Sequence, residues 1–178
     1  VVSGGRFFLD FWNVERSFDN HVTYRWDVPR AKGMITKVDS GPFEDAVEKL
    51  RIYADSPKVF MISKYDSLLS ILAGKYSGTE FFELRSMIVT DEEYRRVRTQ
   101  LASSDILFVD NDIDRDFDAE MDRMVLWNML PGLFYEHRYQ RILKLKVLRQ
   151  LYRDVVAENY NLIDKGLLVS VYRRKSSR

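Results

Sequence analysis

Along the 178-residue chain the apolar positions come in two rhythms, short continuous runs and one-sided helical stripes. Lys58 to Ser63 (KVFMIS) and Asp105 to Asp110 (DILFVD) are short runs bounded by polar residues, and each predicts a buried strand. Met34 to Val38, Thr79 to Val89, Ile142 to Leu148 and Gly166 to Tyr172 read as further strands. Stripes at helical spacing predict helices over Phe43 to Ala54, where Phe43, Val47 and Leu50 share a face, over Phe117 to Leu130, and over Arg149 to Asn159. Asp66 opens a short helix that Gly74 stops. Thr90-Asp91-Glu92-Glu93 is a capping-box pattern, so a helix starts there and runs to about Ala102. Val1 to Asn20 fits two descriptions: a strand ending near Asp10, which is preferred, or a helix burying Phe7, Phe11, Val14 and Phe18.

Strands alternating with helices predict a single α/β domain over residues 1–178, with a Rossmann-like, mostly parallel sheet flanked by helices. No repeat or linker divides the chain, which starts on Val1-Val2-Ser3-Gly4-Gly5 without methionine, as a piece of something longer would. If the strands ending at Asp110 and starting at Ile142 are parallel neighbours, Asp110 and Lys144 come together at one edge of the sheet.

Composition narrows the chemistry. There is no cysteine, which removes disulfides and thiolate chemistry, and only His21 and His137 are histidines, too few for a multi-histidine metal site. The formal charge of +1 provides no strong field for nucleic acid or membrane, although Arg173, Arg174, Lys175 and Arg178 concentrate positive charge in the tail. The tail is expected to be a solvated terminus, with RNA binding as its functional alternative. No apolar run approaches the ~18 residues of a membrane span, so no membrane partner is expected. The acidic run Asp110 to Glu120 resembles a calcium loop only superficially. Counting from Asp110, Arg115 stands at the position that needs glycine and Met121 at that of the bidentate glutamate, and no metal site is assigned.

Alternation places Lys144 and Lys146 on one side of their strand, and a lysine beside Asp110 would act as a tuned acid, base or electrostatic clamp. TDEEYRRVRTQLASSDILFVD followed by RILKLKV resembles the second half of the viral cap-specific 2′-O-methyltransferases, the poxvirus type above all and the double-stranded RNA virus type more distantly. The resemblance implies methyl transfer from S-adenosylmethionine to a ribose 2′-hydroxyl, with Asp110 and Lys144 as catalytic residues. Asp164 is the nearest counterpart of a glutamate before the last strand. For the cofactor it implies Gly4 and Gly5, the only glycine pair, together with Ser63 and Asp66 after the 58–63 strand. No lysine precedes Lys32 where the family carries one. Capped RNA and other subunits of a viral capping or replication assembly would be the partners, in the cytoplasm or the virion. Tyr24, Trp26 and Trp12 are candidate stacking surfaces for a cap or bases.

Two other readings compete. Phe8-Leu9-Asp10-Phe11-Trp12-Asn13 resembles the first strand of NYN or PIN-type nucleases, with acids from the 110–118 loop completing a metal site. The third is a non-catalytic scaffold domain of a larger assembly.

Overall fold

The structure is a computed structural model and describes residues 23–36, 38–113 and 145–176. In chain order these form β1 (Tyr24–Arg25), β2 (Ile35–Thr36), α1 (Gly41–Tyr53), β3 (Lys58–Val59), β4 (Met61–Ile62), α2 (Asp66–Ala73), β5 (Tyr76–Ser77), α3 (Leu84–Met87), α4 (Asp91–Ala102) and β6 (Ile106–Asp110). From residue 145 to 159 the chain is helical (α5), with a π turn at Tyr152–Val156, and β7 (Tyr160–Asp164) and β8 (Val169–Arg174) follow.

Local signals account for several of these ends. Pro42 sits in the first turn of α1, where its missing N–H costs nothing, and Gly74 closes α2 in a left-handed conformation at φ +68°. At α4 the capping box forms as spelled in the sequence. Thr90 Oγ1 accepts from the Glu93 amide at 3.2 Å, and the Glu93 carboxylate accepts from the Thr90 amide at 2.8 Å. Thr90→Ala is therefore expected to lower stability by about 1 kcal/mol in urea denaturation, with Thr90→Ser close to neutral. An equal loss in both variants would show that the methyl group, not the hydroxyl, matters.

The central strand β6 shows how the core is laid out. Phe108 packs with Phe43, Leu50 and Leu69 from α1 and α2, while Leu107 and Val109 pack with Val97, Leu101, Leu148 and Leu151 from α4 and α5. Strand alternation thus sends β6 side chains into two separate apolar layers, one on each face.

The sheet itself is not the Rossmann-like, mostly parallel one that the alternation predicts. The described residues form sheets of two, two and four strands in mixed orientation. The largest has the order β4-β6-β8-β7; β4 pairs parallel with β6, and β8 runs antiparallel to both β6 and β7. The physical reason lies at the expected strand Ile142 to Leu148, which is helical from residue 145. Its letters fit alternation, but Leu148, Leu151 and Val155 also fall at helical spacing and all are buried. With no strand supplied there, the place beside β6 goes to β8. That strand belongs to a hairpin with the short connection 165–168, which permits only antiparallel pairing.

Two smaller differences follow from side-chain bonding. Thr79 to Val89 is not a strand: the Ser77 and Thr79 hydroxyls close a local turn, and the Leu84 amide goes to Asp66 instead of a ladder. The predicted 58–63 strand is divided at Phe60, with β3 pairing parallel to β5 and β4 to β6. Gly78 permits this, because a Cβ there would lie 2.7 Å from the Phe60 ring. The predicted 117–130 helix and the alternative elements of residues 1–20 lie outside the described residues.

Candidate functional site

Parallel pairing sets Met61 against Phe108 and Ile62 against Val109, so the next residues, Ser63 and Asp110, leave the sheet side by side at its carboxyl end. Crevices at such strand ends are where open α/β sheets bind ligands. Asp110 is 3% exposed and its carboxylate accepts three hydrogen bonds among the described residues. One oxygen accepts from Ser63 Oγ at 3.2 Å and the Lys64 amide at 3.3 Å, and the other from the Asp112 amide at 3.0 Å. Burial pushes the Asp110 pKa up against the opposing pull of the Lys64 ammonium and these amides. What Asp110 achieves is positional: it ties the turn after β4 to the turn after β6.

The groups that this brings to the mouth are Lys64 and Asp112. Lys64 Nζ lies 3.0 Å from Asp112 Oδ2 and 5.1 Å from the centre of the Tyr65 ring. Burial works against the ammonium, but the Asp110 and Asp112 carboxylates outweigh it, and the Lys64 pKa lies well above the usual lysine range. Lys64, Asp110, Asp112, Ile113 and Leu145 line a cavity of about 10 Å³, roughly the room one water needs. Sequence reasoning gives Lys64 no role, although its place directly after the apolar run 58–63, one strand over from Asp110, is a signal that could have found it.

The other sequence-nominated residues go elsewhere. Asp164 ends β7, with β8 between it and β6, and it pairs with Lys49 of α1 at 2.7 Å. That bond, with one from Tyr53, holds Asp164 below the usual carboxylate range. Asp45, one turn before Lys49, accepts from the Leu167 amide at 2.7 Å, so α1 clasps the β7–β8 connection. Gly166 lies inside this clasp: a Cβ would stand 2.2 Å from the Val169 carbonyl oxygen and 2.5 Å from Lys49 Cε. Gly166→Ala is expected to cost about 2 kcal/mol in urea denaturation, since the backbone carbonyl cannot yield as a side-chain tip would. A loss below about 0.5 kcal/mol, the scatter of surface substitutions, would show that the hairpin shifts freely.

Ser63, nominated for the cofactor, is wholly buried, donates to Asp110 and accepts from the Tyr65 amide. Asp66 is 6% exposed and accepts from the Ser67 and Leu84 amides, both at 2.8 Å. The side-chain oxygens of both are thus bonded within the fold. Gly4, Gly5, Lys144 and Trp12 lie outside the described residues, as do Asp10 and Asn13 of the nuclease reading. Lys146, expected on a strand with Lys144, is exposed on α5. Trp26 is corrected as well: it is 2% exposed, stacks on Phe43 at 5.1 Å and donates to Thr36 Oγ1, which makes it core. Tyr24 is half-buried in β1. In the basic tail, Arg174 donates to the Ala102 and Ser104 carbonyls and Lys175 to that of Glu158, capping the ends of α4 and α5.

Of the residues nominated for S-adenosylmethionine, the two described ones, Ser63 and Asp66, are buried and bonded within the fold. Among the described residues no group of three acidic or histidine side chains converges as a metal site would, and no helix is long and apolar enough to cross a membrane. No known protein family, curated protein or solved structure matches the chain.

Proposed function

We propose that the chain is a non-catalytic binding domain of a larger assembly, with the ends of β4 and β6 as its contact point. One observation carries this reading: among the described residues, those nominated for catalysis or cofactor binding are bonded internally. Asp110 holds two turns together, Ser63 and Asp66 bond their own neighbourhood, and Asp164 is paired with Lys49. A buried carboxylate that already accepts two or three internal bonds has less left to offer a substrate. The charged groups that reach the opening are Lys64 and Asp112, paired with each other.

One observation favours a catalytic reading in its place. Leu145 of α5 lines the same cavity as Asp110, so the start of α5 stands at the strand end that the methyltransferase resemblance makes catalytic. Calorimetric titration with S-adenosylhomocysteine, with and without magnesium and at two temperatures, separates the readings. The binding domain gives no heat in any condition. A saturable exotherm without metal would overturn it in favour of the methyltransferase, and loss of that binding in Asp110→Asn would strengthen the case for catalysis.

A further inference from the structure

We propose that β7 is a dimerisation edge, on which a second copy of the chain pairs its own β7 antiparallel about a two-fold axis at Asn161. Among the described residues β7 has β8 on one side and no strand on the other. The register fixes which of its backbone groups are left over. The Arg174 amide donates to the Asp105 carbonyl, so Arg174 and, two residues earlier, Tyr172 turn their backbone groups toward β6. Their cross-strand partners Tyr160 and Leu162 therefore exchange no bonds with β8, and point both N–H and C=O away from the sheet. The bond from the Lys175 amide to the Asn159 carbonyl follows the same alternation.

Open groups of this kind are a template for another strand, and their placement selects the occupant. Tyr160 and Leu162 lie symmetrically about Asn161, so a two-fold axis there sets Tyr160 of each copy against Leu162 of the other, and every open group finds a partner. Asn161 meets its own copy on the axis, where the two side-chain amides bond each other. No charge stands among Tyr160, Asn161, Leu162 and Ile163, whereas exposed Glu158 precedes them and exposed Lys165 follows. Antiparallel pairing thus brings Glu158 of each copy toward Lys165 of the other. Leu162 is 50% exposed, and the leucines of the two copies become diagonal neighbours across the new pair. A bulge between Leu162 and Asp164 ends the ladder, and beyond it Asp164 is held by Lys49. The contact is therefore short, and the dimer is a weak one that forms at high concentration.

The test is sedimentation velocity of the full chain at concentrations up to about 1 mM. The parent protein is expected to show monomer and dimer in equilibrium and no larger species, since a two-fold contact closes on itself. Leu162→Pro removes the outward N–H, a change that an edge strand tolerates, and is expected to weaken association about tenfold or more. Leu162→Lys and Leu162→Glu each set like charges across the axis and weaken it alone, whereas an equal mixture of the two regains association to within a few-fold of the parent protein. Thermal melts confirm that each variant is folded. A parent protein that is monomeric at every concentration would overturn the pairing and leave the edge to a strand of another protein. Dimers that persist undiminished in Leu162→Pro, or Lys and Glu variants that do not recover on mixing, would overturn it as well.

Discussion

At pH 8 the Asp66→Asn variant is expected to be more stable than the parent protein, and its stability falls less than that of the parent between about pH 4 and pH 7. Burial raises the Asp66 pKa from 3.8 to about 7, against the lowering effect of the Leu84 and Ser67 amides. A carboxyl group whose folded pKa exceeds its unfolded value holds its proton more tightly when folded. Its stabilisation is complete below the unfolded value and is lost as pH rises through the folded one. A shift of this size corresponds to roughly 4 kcal/mol between the two ends of the window. Burial raises the Asp110 pKa also, so that residue adds a slope of the same sign. Asparagine cannot ionise, and it keeps one of the two acceptor oxygens while its NH2 replaces the other. Urea denaturation across pH 4 to 8 reads the difference, and a variant less stable than its parent at pH 8 would mean that the two amide bonds outweigh the cost of the buried charge.

Asp110→Ala is expected to cost about 3 kcal/mol, because it strands the Ser63 hydroxyl and the Lys64 and Asp112 amides in a buried place. Loss of stability is half of the expected result. With the tie between the two turns gone, the Lys64 and Asp112 amides should exchange with solvent markedly faster than those in the middle of β6. Retained protection at both amides, together with a cost under about 1 kcal/mol, would show that strand pairing alone orders the turns.

Features encoded by neighbours in sequence are readable from the letters alone. The Thr90–Glu93 box needs residues three apart and no tertiary context, and the Asp110 strand end follows from one apolar run stopping on a charge. The run ILKLKVL misleads because a seven-residue stretch can satisfy alternation and helical spacing together; only the buried Leu151 and Val155 further on favour the helix. That one ambiguity propagates to the sheet, since it removes the parallel neighbour expected for β6. The site is half legible for a different reason. Asp110 stands out by its position, yet its donor Ser63 is 47 residues away, and Lys49 lies 115 residues from Asp164. Nothing local distinguishes such lysines and acids from ordinary surface charges, and the inward turn of Asp66 depends on the Leu84 amide, which no propensity places there.

The π turn at Tyr152–Val156 interrupts α5 shortly before β7 begins. Leu148 and Leu151 are buried before it and Val155 and Val156 within it, all in one apolar cluster. A π turn has the signature of one inserted residue. Removing a residue such as Arg153 would restore a regular helix but rotate everything after it by about 100°, the angle of one helical step. The valines, or the β7 strand that follows them without a linker, would then miss their places in the core. The extra residue therefore acts as a phase shifter, setting the angle at which the closing hairpin meets the sheet.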